Sequence, residues 1–315
     1  MPLLVELLVS DPPIYLQCAA LDTLGKVKTG HPRIISFLLD RSVASDLVLR
    51  YKARQVLWNL DLQETPSVRA LALGLRHPDK RVRLEAAVAL QIWDHSNKPT
   101  PAGLAEVLPP LIETLREVND DVPLGNLENY LILLRRFGPK AAPVAEALVR
   151  IHTSPTYFGK LKPKEAAYHR AKLLGVLANV GVPGSARPLV VEALKNGPNA
   201  ELDGGYAFAA AARALANFGP EARSAIPWLL PALKVQGKEN LFFYIDWSAE
   251  GFRSTTARLE AIRALGKIGP DAKDALEPLK EIAARKAAPG PETIVQQEAR
   301  RAVAAIEGKP GPGTK

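Results

Sequence analysis

The stretch Arg258-Leu-Glu-Ala261-Ile-Arg-Ala264-Leu265-Gly-Lys-Ile268-Gly269-Pro270 decides the fold, because the chain carries seven altered copies of it. Laid along the sequence, Leu265 falls on Leu24, Leu57, Leu90, Leu134, Leu177, Leu215 and Val303. Ala261 falls on Ala20, Ala53, Ala86, Tyr130, Leu173, Ala211 and Ala299. Ile268 falls on Val27, Leu60, Trp93, Phe137, Val180, Phe218 and Ile306. The three slots are spaced i, i+4 and i+7, so they share one helix face. The Leu slots recur every 33 to 50 residues, a period that marks stacked structural repeats. Such an array has no single core around which a reaction pocket must form. It offers an extended surface instead.

Each copy reads as the second helix, B, of a hairpin whose first helix, A, lies between copies. The pairs are 2–10 with 14–27, 31–41 with 45–60, 66–76 with 80–93, and 101–118 with 124–137. They continue as 140–151 with 164–180, 185–195 with 204–218, 221–235 with 253–268, and 271–286 with 291–306. Gly138-Pro139, Gly219-Pro220 and Gly269-Pro270 punctuate the passage from B to the next A. Glycine suits a left-handed helix end, and proline suits the first turn of the helix that follows. Prolines within the A segments, such as Pro143, Pro227 and Pro231, should kink or restart them. The expected fold class is all-α, an α-solenoid (superhelix) of about eight antiparallel helical pairs. It is expected to run as one array over 1–307, with 308–315 as a disordered tail. The repeat spacing stretches at 95–102, 153–163 and 236–252. The last two stretches are A–B turns, which lie on one edge of such an array.

Composition agrees with this reading. Of the 315 residues, 47% are apolar, enough to bury a large core and to exclude disorder by composition. No run of about 18 apolar residues occurs, so no membrane contact is expected. The N-terminus has no basic region before its apolar run, which Glu6 interrupts. It reads as an amphipathic helix rather than a signal peptide, and a cytoplasmic location is expected. The net charge is +8, from 41 Lys+Arg against 33 Asp+Glu. A local excess of basic residues includes Lys160, Lys162, Lys164, Arg170 and Lys172. Such a stretch is either a surface for phosphates or a solvated repeat surface.

The residues of catalysis and metal binding are sparse. The one cysteine, Cys18, reads as a small packed hydrophobe. The five histidines (His31, His77, His95, His152, His169) form no His-Glu-x-x-His and none precedes Glu. There is no phosphate-binding glycine loop and no Gly-x-Ser-x-Gly. No catalytic residue, metal site or cofactor is assigned. Trp93 fills a stripe slot, so it and Trp58 read as core. The insertion 236–252 is different, since five of the nineteen aromatics fall between Phe242 and Phe252. Phe242, Phe243, Tyr244, Asp246 and Trp247 either cover a groove between repeats or form a partner-binding hot spot. Tyr157 and Phe158 form a smaller instance on the same edge.

The segment Val82-Arg83-Leu-Glu-Ala86-Ala-Val-Ala89-Leu90, with the turns Gly219-Pro220-Glu-Ala and Gly269-Pro270-Asp-Ala, resembles HEAT-type repeats. It looks most like the subclass first described in phycobilisome lyases. The resemblance covers nearly the whole chain and weakens over 101–152, where Tyr130 replaces Ala. It implies a protein-binding scaffold. Some members of that family are chromophore lyases, alkyl-base DNA glycosylases or metal-dependent hydroxylases, but the paired His-Glu ligands of the hydroxylases are absent. The Arg258 slot also holds Arg50, Arg83 and Arg170, with Gln17 and Gln296 at two ends. In resembling arrays, polar positions of the B helices line the concave side. These arginines are either a ladder of donors for an acidic partner or structural, each paired with an acid or carbonyl of the neighbouring repeat, as Asp79 near Arg83. The expected function is a non-catalytic scaffold that binds another protein through its concave face and A–B loop edge. The alternative is a nucleic-acid-binding protein using the 160–172 stretch and the repeated arginines, and less so a glycosylase or lyase-type enzyme.

The stripe predicts that Leu90→Arg, which buries a charge, costs more than about 4 kcal/mol and unfolds adjacent repeats. Far-UV circular dichroism through a thermal melt checks it. An unaltered melt would show that the register is wrong.

Overall fold

The computed structural model describes residues 2–27, 30–60, 65–95, 103–117, 124–198, 205–235, 246–248, 251–253, 256–285 and 291–309. The fold is all-α, built of stacked antiparallel helical pairs. The sequence draws one array over 1–307. Its contacts divide into two compact units, Met1–Phe137 and Gly138–Lys315, with four pairs in each.

In the first unit the A helices are α1 (Pro2–Val9), α3 (Pro32–Arg41), α5 (Thr65–Gly74) and α7 (Leu108–Glu117). The B helices are α2 (Ile14–Val27), α4 (Leu47–Trp58), α6 (Lys80–His95) and α8 (Leu124–Phe137). A packs on A and B on B along the stack: α1 on α3 on α5 on α7, and α2 on α4 on α6 on α8.

The second unit repeats this plan with broken A segments. Its A helices are α9 (Ala145–Thr153), α12 (Arg187–Lys195), α14 (Ile226–Leu229) and α16 (Leu276–Ala284), and a short α10 (Pro155–Phe158) follows α9. The B helices are α11 (Pro163–Val180), α13 (Tyr206–Leu215), α15 (Ala257–Ile268) and α17 (Pro291–Ile306), each packed on the next.

The B-helix stripe is the core. Every Ala261-slot residue is buried, and so is every Leu265-slot residue except Val303, which is half-buried. The third slot departs from expectation at the helix ends. Val27 closes α2 and is 49% exposed, while Phe137 and Phe218 are half-buried. Trp58 is half-buried, although its Nε1 is fully covered. Cys18 is also half-buried, and the side chain of Trp93 lies outside the described residues.

The Gly-Pro punctuation forms a different structure from the expected α-helical start. Gly138–Val144, Gly219–Ala225 and Gly269–Ala275 are 3-10 turns. With three residues per turn, side chains at i and i+3 eclipse. Ala141 and Val144, Ala222 and Ala225, and Ala272 and Ala275 use that spacing to bury one small face each. The preceding helix ends require positive φ, which glycine supplies at 51° (Gly138), 53° (Gly219) and 76° (Gly269). Prolines restart the A segments as expected: Pro227 and Pro231 reduce the seventh to the four-residue α14 between two 3-10 turns.

Side chains cap several starts. Asp46 accepts from Leu49 N at 2.8 Å, and Thr256 accepts from Leu259 N at 3.0 Å. His31 caps α3 through Nδ1, as its place before Pro32 suggests. The tail is not irregular from its first residue. Gly308 N donates to Ala305 O, and Lys309 N donates to Ala304 O at 2.8 Å, a Schellman closure of α17. Residues 310–315 lie outside the described residues. The insertion 236–252 includes an antiparallel strand pair, β1 (Asp246–Ser248) and β2 (Gly251–Arg253), with Trp247 opposite Phe252.

The Arg258 slot has a structural explanation. It lies seven residues before the Leu slot, two turns away on the buried face. Gln17 Nε2 donates to Pro12 O at 2.7 Å, and Arg50 Nη1 donates to Ala44 O at 3.3 Å. Arg83 Nη1 donates to His77 O at 2.8 Å and to Pro78 O at 3.0 Å. Each reaches back to carbonyls of its own A–B turn. The acid expected to hold Arg83, Asp79, pairs with Arg81 instead. Arg83→Met keeps the stem and removes the donors. It is expected to destabilise by about 1.5–3 kcal/mol, read as a lower urea midpoint with an unchanged slope.

Candidate binding surfaces

The structure redistributes the residues selected from sequence. Tyr157 and Phe158 are 7% and 2% exposed, with ring centroids 5.4 Å apart. They are core of the second unit and present no rings to a partner. The short α10, capped by Ser154, folds them inward. Asp246 and Trp247 lie on β1, and their side chains, with all of Phe242, Phe243 and Tyr244, fall outside the described residues.

The basic stretch is divided. Lys160, Lys162 and Lys164 are exposed. Arg170 lies 4.8 Å over the Phe158 ring, and Lys172 4.4 Å over Tyr168, so both are half-buried stacking groups. Arg50 and Arg83 are half-buried on turn carbonyls. Arg258 is 2% exposed and belongs to no surface, because its slot lies on the buried face. Among the described residues no group of three or more His, Cys, Asp or Glu side chains is placed to hold a metal. None of their helices is long and apolar enough to cross a membrane.

Two surfaces emerge that the sequence reading did not single out. The first is a groove of about 640 Å³ across α11, α13, α15 and α17. Its floor is small: Ala178, Ala216 and Gly266, with Ala302 and Ala305. The first three occupy one slot, directly after Leu177, Leu215 and Leu265. In the first unit that slot is small only in the first copy, Gly25 after Leu24, and holds Trp58, Gln91 and Arg135 after Leu57, Leu90 and Leu134. A Cβ on Gly266 would stand 3.1 Å from Ala302 Cα, so glycine allows α15 and α17 their close approach.

The groove wall carries Arg213, Arg263 and Arg301, each two residues before the Leu slot of its helix. Arg263 Nη1 pairs with Glu260 Oε1 at 2.9 Å, and its Nη2 lies 3.5 Å from Glu298 Oε1. Glu298 also holds Arg301 Nη1 at 3.2 Å. Arg213 Nη2 donates to Asn179 Oδ1 at 2.8 Å, and Asn217 Nδ2 to Ala178 O at 3.1 Å. The Arg263–Glu298, Arg213–Asn179 and Asn217–Ala178 bonds run from one repeat to the next, while Arg263–Glu260 and Arg301–Glu298 lie within one helix, and together they hold the polar wall in place. Nothing here resembles a nucleophile with its base. The groove's lining residues include no serine, cysteine or histidine.

The second surface lies in the first unit. Ile14 and Tyr15 open α2, and Leu47, Val48 and Tyr51 lie in the first turns of α4. Ile14 matches Leu47, and Tyr15 matches Val48, in the repeat register, and the two helices pack side by side. All five are exposed, including Tyr15 at 70%, Leu47 at 68% and Tyr51 at 64%. They form an apolar patch where A–B turns enter the B helices. These residues lie off the i, i+4, i+7 stripe that marks the buried face.

No protein-family profile and no curated protein matches the chain. Among solved structures, an engineered protein (Northeast Structural Genomics Consortium target OR497) is similar at a TM-score of 0.56. It is 20% identical, covering 98% of this chain and 78% of its own. A second engineered protein (target OR366) gives 0.46 at 22% identity, covering 76% and 98%. A structure described as a phosphorylation switch controlling the interaction between cadherin and beta-catenin gives 0.49 at 14%, covering 96% and 60%. The likeness to the first engineered protein supports the fold and nothing more specific.

Burial, reinforced by the Arg170 charge, pushes the His152 imidazole from 6.5 down to about 4. The unfolded chain therefore takes up a proton that the folded chain refuses. Stability is complete above about pH 6.5, falls as pH drops toward 4, and levels off below. The loss is at most roughly 3 kcal/mol. Unfolding free energy measured against pH should show this slope in the wild type and lose it in His152→Leu.

Proposed function

We propose that the chain is a non-catalytic scaffold of HEAT-like repeats that binds another protein through its B-helix face and its A–B edge. The observation that carries this reading is the patch of Ile14, Tyr15, Leu47, Val48 and Tyr51. Exposed apolar side chains gathered on adjacent helices mark protein contact sites, and tyrosine is enriched among the residues that dominate interface energetics. A nucleic-acid surface is instead rich in cations that neutralise phosphates, and this patch has none. The exposed lysines 160, 162 and 164 favour the nucleic-acid alternative, but Arg170 and Lys172, which would extend them, are stacked on rings.

The test replaces Tyr15 and Tyr51 by Glu, two changes that leave the core intact. The wild type and the double variant, immobilised, are exposed to the same nuclease-treated extract. Proteins held by the wild type should be retained at least about tenfold less by the variant, equivalent to about 1.4 kcal/mol. Equal retention by both would overturn the reading. So would tight binding of random duplex DNA at low salt that collapses steeply as salt rises.

A further inference from the structure

We propose that the groove across α11, α13, α15 and α17 takes an extended acidic segment of a partner protein, with a carboxylate at every third residue. The inference rests on the scaffold reading and specifies what one of its surfaces accepts.

The charge of the groove comes first. Its lining carries four cations, Arg213, Arg263, Lys267 and Arg301, against two carboxylates, Glu260 and Glu298. The carboxylates hold the guanidiniums in position without exhausting them. A guanidinium has five N–H donors, and the ion pairs described above use two on Arg263 and one on Arg301. Lys267 is exposed and has no ion pair among the described residues.

Register comes second. Arg213, Arg263 and Arg301 occupy one slot on three successive B helices, and α13 packs on α15 and α15 on α17. Packed helices lie about 8–10 Å apart. An extended polyproline II chain has three residues per turn and rises about 3.1 Å per residue, so every third side chain shares one face and recurs about every 9 Å. A carboxylate at every third position therefore meets one arginine per helix. The intervening residues lie over the small floor of Ala216, Gly266 and Ala302, where a backbone can approach closely.

The two glutamates argue against a nucleic acid. Duplex DNA presents a charge about every 1.7 Å of its axis, and such density would set phosphates against Glu260 and Glu298. A segment with neutral residues between its acids avoids that repulsion.

The test uses the full chain and fluorescein-labelled peptides with blocked ends. One peptide repeats Glu-Thr-Ser. A second has the same composition with its glutamates in one block, and a third carries Gln for Glu. The spaced peptide should bind about tenfold tighter than the blocked one, and the Gln peptide should not bind. Arg301→Gln and Lys267→Gln, both at exposed side chains, should each weaken the spaced peptide several-fold. Ala305→Trp, which obstructs the groove from an exposed position, should abolish binding with the thermal midpoint unchanged.

Equal binding of spaced and blocked peptides would overturn the proposal, since charge alone would then suffice. It also falls if a single-stranded oligonucleotide binds more tightly and displaces the peptide, or if Ala305→Trp has no effect. If no peptide binds while the Tyr15 and Tyr51 substitutions still abolish protein capture, the groove assignment fails and the scaffold reading stands. If both experiments fail, both fall.

Discussion

One face of every B helix must stay dry against its neighbours, and the rest of each unit follows from that constraint. A repeat cannot bury the Ala261 and Leu265 slots alone, because they are covered by the next B helix and the A layer. Each fully buried leucine contributes roughly 1.5–3 kcal/mol. The same face extends one turn further, to the Arg258 slot, where polar residues stand in six of eight copies. Buried polar groups require partners, and the nearest orphans are the carbonyls of the A–B turn. Gln17, Arg50 and Arg83 meet that need. The slot thereby fixes the turn onto the start of its helix. In the copies holding Leu127 and Phe208 the position is filled by hydrocarbon and is fully buried.

The outward slots are free of this constraint, and there the copies diverge. The slot after the stripe leucine is small in the second unit and large in pairs two to four, and the groove lies where it is small. The slot two residues before that leucine forms rungs between successive repeats. Arg263 meets Glu298 in the last pairs, whereas Lys52 meets Asp22 in the first. The rung is thus a property of the repeat geometry, and its sign is a property of each copy. Exposed pairs between A segments, such as Arg69 with Glu106 and Arg76 with Glu113, add little to stability because water screens them. They align successive repeats more than they hold them.

Much of the fold was legible because its signals are local and repeated. The i, i+4, i+7 stripe located every B helix, and Gly-Pro marked three of the places where a B helix ends and the next A begins. The form of that junction was not legible. Gly-Pro-x-Ala-x-x-Ala reads as the start of an α-helix, yet the second alanine is spaced to be buried in a 3-10 turn. The candidate sites were read less well. Tyr157 and Phe158 looked like surface aromatics because they lie in an insertion, but α10 turns them inward. Arg258 looked like a surface donor because arginine usually is one. Its heptad relation to Leu265 was the available sign that it is not. The arginines at 213, 263 and 301 share a slot that the sequence displays openly, but nothing in one dimension says that this slot faces a groove.

The sequence by itself determined the number of helical pairs, their register and the identity of the buried face. Hydrophobic periodicity and helix-ending residues act within a few positions along the chain, so they can be read there. Only the tertiary structure decided which outward slots meet across neighbouring helices. It decided whether a ring folds in or out, and where small residues leave an opening. Those outcomes depend on contacts between residues 30 to 40 positions apart, where volume and charge are matched across helices rather than along them.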